Sequence, residues 1–176
     1  MTDLWSFTDN FSSIRDEYWS NKNDPRVCDM WMDWDSDWDH GADWQVLPVF
    51  VSEEIVNTRY GDAASWWSLM KVLSWSWPET WKRVFADFDQ DRVSLAAFSR
   101  LGPNQELEPH EHKNEGHLIF HMGMEIPEGD VGIQTSFGVH QWKSPEDWVI
   151  FDDTKTHSAW NRTEEDRVIF YMDFMP

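Results

Sequence analysis

The spacing of apolar positions changes near residue 91. Before that point apolar side chains recur every three to four residues. Over residues 5–20, Phe7, Phe11, Ile14 and Tyr18 return at helical spacing, and "FSSIRDEYW" supplies the polar face, which predicts an amphipathic helix. Residues 62–74 present Trp66, Trp67, Leu69, Met70 and Leu73 in a second helix. "WPET" at Trp77–Thr80 reads as a turn and a helix start, since a proline at the first helical position lacks only an N–H that has no intrahelical partner there. Trp81, Val84 and Phe85 continue that helix.

From about residue 92 the pattern shortens. "RVSLAAFSRL", "HLIFHMGMEI", "VGIQTSFGVH", "DWVIFDD" and "DRVIFYMDFMP" are brief β-rich segments, several of them alternating, separated by Gly, Pro, Asn and Asp. Such punctuation predicts an all-β sandwich or barrel. The expected fold is mainly β: a double-stranded β-helix (jelly roll, cupin-like) with N-terminal helices packed on one sheet. No repeat or Gly/Ser linker divides the chain. Residues 1–176 therefore read as a single domain, helical over about 1–90 and β over about 91–176.

Composition narrows the function classes. A chain of 176 residues, 40% hydrophobic and 16% aromatic, carries enough apolar surface for a core and is not of disordered type. No apolar run approaches the roughly 20 residues that span a bilayer. The opening "MTDLWSFTDN" has neither the basic nor the apolar region of a signal peptide. One cysteine, Cys28, excludes an intramolecular disulfide and fits a reducing compartment. The expectation is a cytoplasmic protein without membrane contact. A formal charge of −19 opposes binding to nucleic-acid phosphates and favours a neutral or basic small molecule or peptide over an acidic one. Between Asp29 and Trp44, Trp31, Trp34, Trp38 and Trp44 are interleaved with aspartates. That stretch is either an acidic aromatic wall for a cationic or ring-bearing substrate, or a loop whose indoles fold back onto the core.

The densest chemistry lies in "EPHEHKNEGHLIFH", Glu108–His121, which holds four of the seven histidines. On a strand, positions i and i+2 share a face, so His110 and His112 can meet one metal with Glu111 turned away. His157 follows an apolar segment in "FDDTKTH". Two histidines and a carboxylate on one face, with open positions, is the pattern of non-haem Fe(II) oxygenases; here His112 stands where the carboxylate normally sits. Arg167, ten residues beyond His157 in "DRVIF", needs a partner, because a buried unpaired charge is costly. A planar guanidinium suits a carboxylate, either that of a bound dicarboxylate or that of Asp152 or Asp153 in a structural salt bridge.

Taken together, "FSRLGPNQELEPHEHKNEGHLIFHMGMEIP" and "WKSPEDWVIFDDTKTHSAWNRTEEDRVIFYMDFMP" resemble the two C-terminal motifs of the aspartyl/asparaginyl β-hydroxylase family, a branch of the Fe(II)/2-oxoglutarate dioxygenases. "FSSIRDEYW" and "WPETWKRV" are more weakly similar to its N-terminal helix and turn, so the resemblance covers nearly the whole chain. It implies that His110 and His157 bind iron. It also implies that Ser99 and Arg167 hold the far carboxylate of 2-oxoglutarate, and that His121 contacts the carboxylate beside the keto group. The implied activity is hydroxylation of an unactivated C–H in an amino-acid, peptide or natural-product substrate, consuming O2 and decarboxylating 2-oxoglutarate to succinate. His112 replaces the glycine of the enzymes that act on aspartyl residues, and it stays open between metal ligand and partner of a metal-bound water. His117 and Ile119 replace family arginines, so aspartyl specificity is not carried over. The alternatives are a 2-oxoglutarate-dependent halogenase or other oxidative variant, and a cupin-type metalloprotein using His110, His112 and His157.

Overall fold

The computed structural model describes residues 11–33, 42–60, 63–113 and 115–176. The helices are α1 (Ser12–Asn21), α2 (Pro25–Cys28), α3 (Glu53–Tyr60), α4 (Ala63–Ser76) and α5 (Pro78–Asp87). The strands are β1 (Met32–Asp33), β2 (Trp44–Val51), β3 (Val93–Leu101), β4 (Gln105–His110), β5 (Leu118–Glu125), β6 (Val131–Thr135), β7 (Gly138–Gln141), β8 (Trp148–Phe151), β9 (His157–Asn161) and β10 (Arg167–Phe174).

The periodicity of α1 is met by Phe11, Ile14 and Tyr18, all buried; Phe7 and the rest of 5–10 lie outside the described residues. Pro78 opens α5, and Glu17 of α1 accepts the N–H groups of Glu79 (2.9 Å) and Thr80 (2.7 Å). A carboxylate borrowed from a neighbouring helix thus satisfies donors that the first turn leaves without partners.

Every strand pairing is antiparallel. Six strands form one sheet in the order β1-β2-β3-β10-β5-β8, and four form the other in the order β4-β9-β6-β7. The stretch expected to be helical also supplies β1 and β2. "WQVLPVFV" is a continuous apolar run buried on both faces, so its strand character is hidden from a period-2 search. β10 is buried in the same way. Its Val168, Phe170, Met172 and Phe174 enter a core shared with the helices, where Trp77 packs on Phe98 at 4.8 Å between ring centroids. Ile169 faces the other way, into a smaller core between the sheets with Leu101, Leu107, Ile119, Ile133 and Phe151. The result is a double-stranded β-helix with helices on one sheet.

One buried side chain fastens the closed end. Asn161 Nδ2 donates to the carbonyls of Leu101 (3.0 Å), Gly102 (2.9 Å) and Glu165 (2.8 Å), tying the end of β9 to the end of β3. His110 and His157 lie at the opposite end of the β4–β9 pair.

Candidate metal centre

His110 ends β4 and His157 begins β9; they are register partners with ring centroids 4.2 Å apart. Each ring is fixed through Nδ1, which lies 2.6 Å from the Glu108 carbonyl in His110 and 3.0 Å from the Lys155 carbonyl in His157. A carbonyl accepts only, so Nδ1 carries the proton and Nε2 presents its lone pair. Burial holds the His110 pKa down, to about 4, and lowers that of His157 as well. Both rings are therefore neutral at pH 7, the form that binds metals.

His112 arrives differently from the sequence expectation. β4 stops at His110, so strand alternation does not place His112. A loop does: the His112 N–H donates to the Asp153 carbonyl (2.9 Å), and His112 Nδ1 lies 3.1 Å from Asp153 Oδ2. Its ring centroid is 5.3 Å from that of His110 and 5.5 Å from that of His157. One nitrogen from each of the three histidines lies within 4.8 Å of the others, a spacing that fits one ion. Neutral imidazoles suit iron, zinc, copper or nickel.

Behind the histidines a pocket runs between the sheets to Arg167. The strand register orders its floor. Arg167 and Leu101 form the deepest row, Ile169 and Ser99 the next, then Tyr171 and His121, then Ile119 with Phe151 toward the mouth. Arg167 is 2% exposed, and burial lowers its pKa only to about 10, so it is charged at neutral pH. Its Nε and Nη1 have no hydrogen-bond partner among the described residues. The structural salt bridge weighed from sequence is not formed: Asp152 accepts from Thr154, and Asp153 lies against His112. A buried cation with unsatisfied donors costs on the order of several kcal/mol, a cost that an anion at this end of the pocket would offset.

Ser99 and His121 line the same pocket. Trp44 Nε1 donates to Ser99 Oγ (2.9 Å), which leaves the serine proton free to point elsewhere. His121 is fully enclosed; its ring stacks on Trp142 at 6.1 Å and meets Phe151 edge-on at 5.1 Å. Its Nδ1 has no hydrogen-bond partner among the described residues, and burial keeps its pKa well below the usual histidine value. Trp142 also lies under Arg167, 5.6 Å from the guanidinium carbon.

Sequence reasoning named Asp153 and Trp44 in other roles and overlooked Tyr171 and Trp142 here. Asp153 and Tyr171 were detectable only as the inward positions of segments already singled out. Trp44 and Trp142 act through contacts across strands, which spacing does not encode. His117 stands apart from the pocket, with Nδ1 2.7 Å from Asp173 Oδ1. Of the Trp/Asp-rich stretch, Trp34 and Trp38 lie outside the described residues, and Trp31 packs against the larger core.

A protein-family model described as aspartyl/asparaginyl β-hydroxylase matches residues 8–176. A curated relative, the ornithine lipid ester-linked acyl 2-hydroxylase of Rhizobium tropici, is 32% identical over 100 residues, 56% of this chain and 34% of that protein. The match thus spans about a third of the relative's length. Among solved structures the chain is similar to a predicted oxalate decarboxylase from Thermotoga maritima, at 19% identity over 49% of this chain and 70% of that one, with a TM-score of 0.40. It is also similar to a cupin domain from Bordetella pertussis, at 18% identity over 51% and 88% of the two chains, with a TM-score of 0.38. Among the described residues, no helix is long and apolar enough to cross a membrane.

Proposed function

The chain belongs to the aspartyl/asparaginyl β-hydroxylase family, and on that footing we propose that it is an Fe(II)/2-oxoglutarate-dependent hydroxylase. The observation that carries this reading is one pocket with three clustered imidazoles at one end and, at the other, a buried guanidinium whose Nε and Nη1 have no hydrogen-bond partner among the described residues. A dicarboxylate that chelates a metal at one end and ends in a second carboxylate matches both.

His110 and His157 would hold the iron. When bound, iron with O2 supplies the oxidising power to break an unactivated C–H bond as 2-oxoglutarate loses CO2 to give succinate. The chain's own residues do the rest. Arg167 and the Ser99 hydroxyl, set by Trp44, take the far carboxylate through charge-assisted hydrogen bonds. His121, one row nearer the mouth, reaches the carboxylate beside the keto group. Ile119, Ile133, Phe151 and Ile169 exclude water along the way.

The substrate in this reading is a neutral or basic small molecule or peptide. The name of the Rhizobium relative puts an acyl chain beside an ester among the first compounds to try. The three-histidine cluster also suits a cupin-type metalloprotein, which would have no use for Arg167, Ser99 and His121. Anaerobic Fe(II) titration followed by 2-oxoglutarate separates the two. The hydroxylase develops a weak visible charge-transfer band and, with O2 and a substrate panel, forms succinate. A protein that binds Fe(II) but gives neither band nor succinate is the cupin.

A further inference from the structure

We infer that His112 is a third protein ligand of the metal and that Asp153 positions it; this rests on the iron-site reading above. The family's aspartyl hydroxylases carry glycine at this place, so the inference concerns what is particular to this chain.

Three observations converge on it. The His112 nitrogen falls within the same 4.8 Å group as those of His110 and His157. Its Nδ1 lies 3.1 Å from Asp153 Oδ2, short of hydrogen-bond geometry but close enough for metal binding to draw the pair into the carboxylate–histidine–metal arrangement that fixes a ligand's tautomer. The loop is locked at this register by the hydrogen bond from the His112 N–H to the Asp153 carbonyl (2.9 Å), so imidazole and carboxylate move together.

Asp153 supplies an independent argument. It is 1% exposed, and neither carboxylate oxygen has a hydrogen-bond partner of good geometry. A buried carboxylate in that condition is costly unless positive charge comes to it. A divalent ion on Nε2 of His112 makes the Nδ1–H more acidic and the contact with Asp153 charge-assisted. Binding at His112 would therefore offset a cost that the described side chains leave in place.

The consequence is a facial set of three neutral imidazoles. It would leave the ion its full positive charge for an anionic chelating co-substrate. It also fills the place a halide would take, which favours hydroxylation over halogenation.

Counting imidazoles tests this without relying on turnover. Pulsed EPR of the Cu(II)-loaded full chain registers the remote nitrogen of each bound ring, and anaerobic calorimetry gives Fe(II) affinity. The native chain is expected to show three rings and His112→Ala two, with Fe(II) binding weakened by about tenfold or more. Asp153→Asn is expected to keep three rings, bind Fe(II) about tenfold more weakly, and melt no lower without metal than the native chain. Two rings in the native chain, with Fe(II) affinity unchanged in His112→Ala, overturn the inference and leave the His110–His157 site standing. Native-like Fe(II) binding by His110→Ala overturns the iron site itself.

Discussion

His110 and His157 face each other as register partners across β4 and β9, with ring centroids 4.2 Å apart and each Nδ1 held by the carbonyl two residues before its own ring. Two strands separated widely in sequence thus deliver two preset Nε2 atoms to one point. Replacing either histidine with alanine is expected to abolish succinate formation, because no neighbouring group in the strand can take over its lone pair. Succinate release is the measurement, and native turnover in either variant would remove that residue from the metal site.

Arg167 separates a binding role from a structural one. Losing its charge-assisted bonds to a carboxylate, worth about 1.5–3 kcal/mol, is expected to raise the 2-oxoglutarate KM of Arg167→Met roughly 10- to 150-fold. Because the buried guanidinium leaves Nε and Nη1 without partners, the same variant without ligands is expected to melt no lower than the native chain. A structural arginine would give the reverse: an unchanged KM and a lower melting temperature.

Trp44 acts on the co-substrate end through Ser99. Trp44→Phe keeps the ring and deletes the donor that occupies Ser99 Oγ at 2.9 Å. The serine hydroxyl then rotates freely, and the cost of about 1 kcal/mol corresponds to a roughly fivefold higher KM for 2-oxoglutarate. A KM equal to the native value would place Trp44 among the purely structural indoles.

Much of this was legible in the sequence, for identifiable reasons. The helices at 12–21, 63–76 and 78–87 follow from 3.6-residue periodicity and from Pro78. That His110 and His157 come together was anticipated from "PHEH" and "KTH", each beside an apolar strand segment, and the structure does bring the two rings side by side. β2 escaped because burial on both faces erases alternation. His112 was expected on a strand and lies on a loop, since strand ends depend on cross-strand register rather than on local pattern. Asp153 was weighed only as a salt-bridge partner for Arg167; its place against His112 arises from a loop-to-loop hydrogen bond that spacing does not reveal.

Asn161 tests what holds the closed end together. Its amide nitrogen serves three carbonyls, and its Oδ1 accepts from Thr163 Oγ1 at 2.7 Å. Asn161→Ala strands several buried polar groups, so a loss of about 3 kcal/mol or more in unfolding free energy is expected. Chemical denaturation measures it; a loss under about 1 kcal/mol would mean that water replaces the amide at no cost.

Acid sensitivity follows from the enclosed histidines. In the unfolded chain His121 titrates near 6.5, whereas in the folded chain burial, helped by Arg167, His157 and His140, keeps its pKa well below that. The group is depressed on folding, so above pH 6.5 both states leave it neutral and it contributes no pH dependence. As pH falls below 6.5 the unfolded chain takes up a proton that the folded chain refuses, and stability drops by up to about 1.4 kcal/mol per pH unit from this residue. His110, held down to about 4, and His157 push in the same direction over the same range. Asp173 works oppositely, since burial raises its pKa from 3.8 and it gains stability on acidification. Metal-free melts between pH 7 and pH 5 are expected to show falling stability, with a shallower slope in His121→Gln by one proton's share. An identical slope in that variant would show that His121 is protonated in the fold, and with it that the deep pocket is wetter than its burial implies.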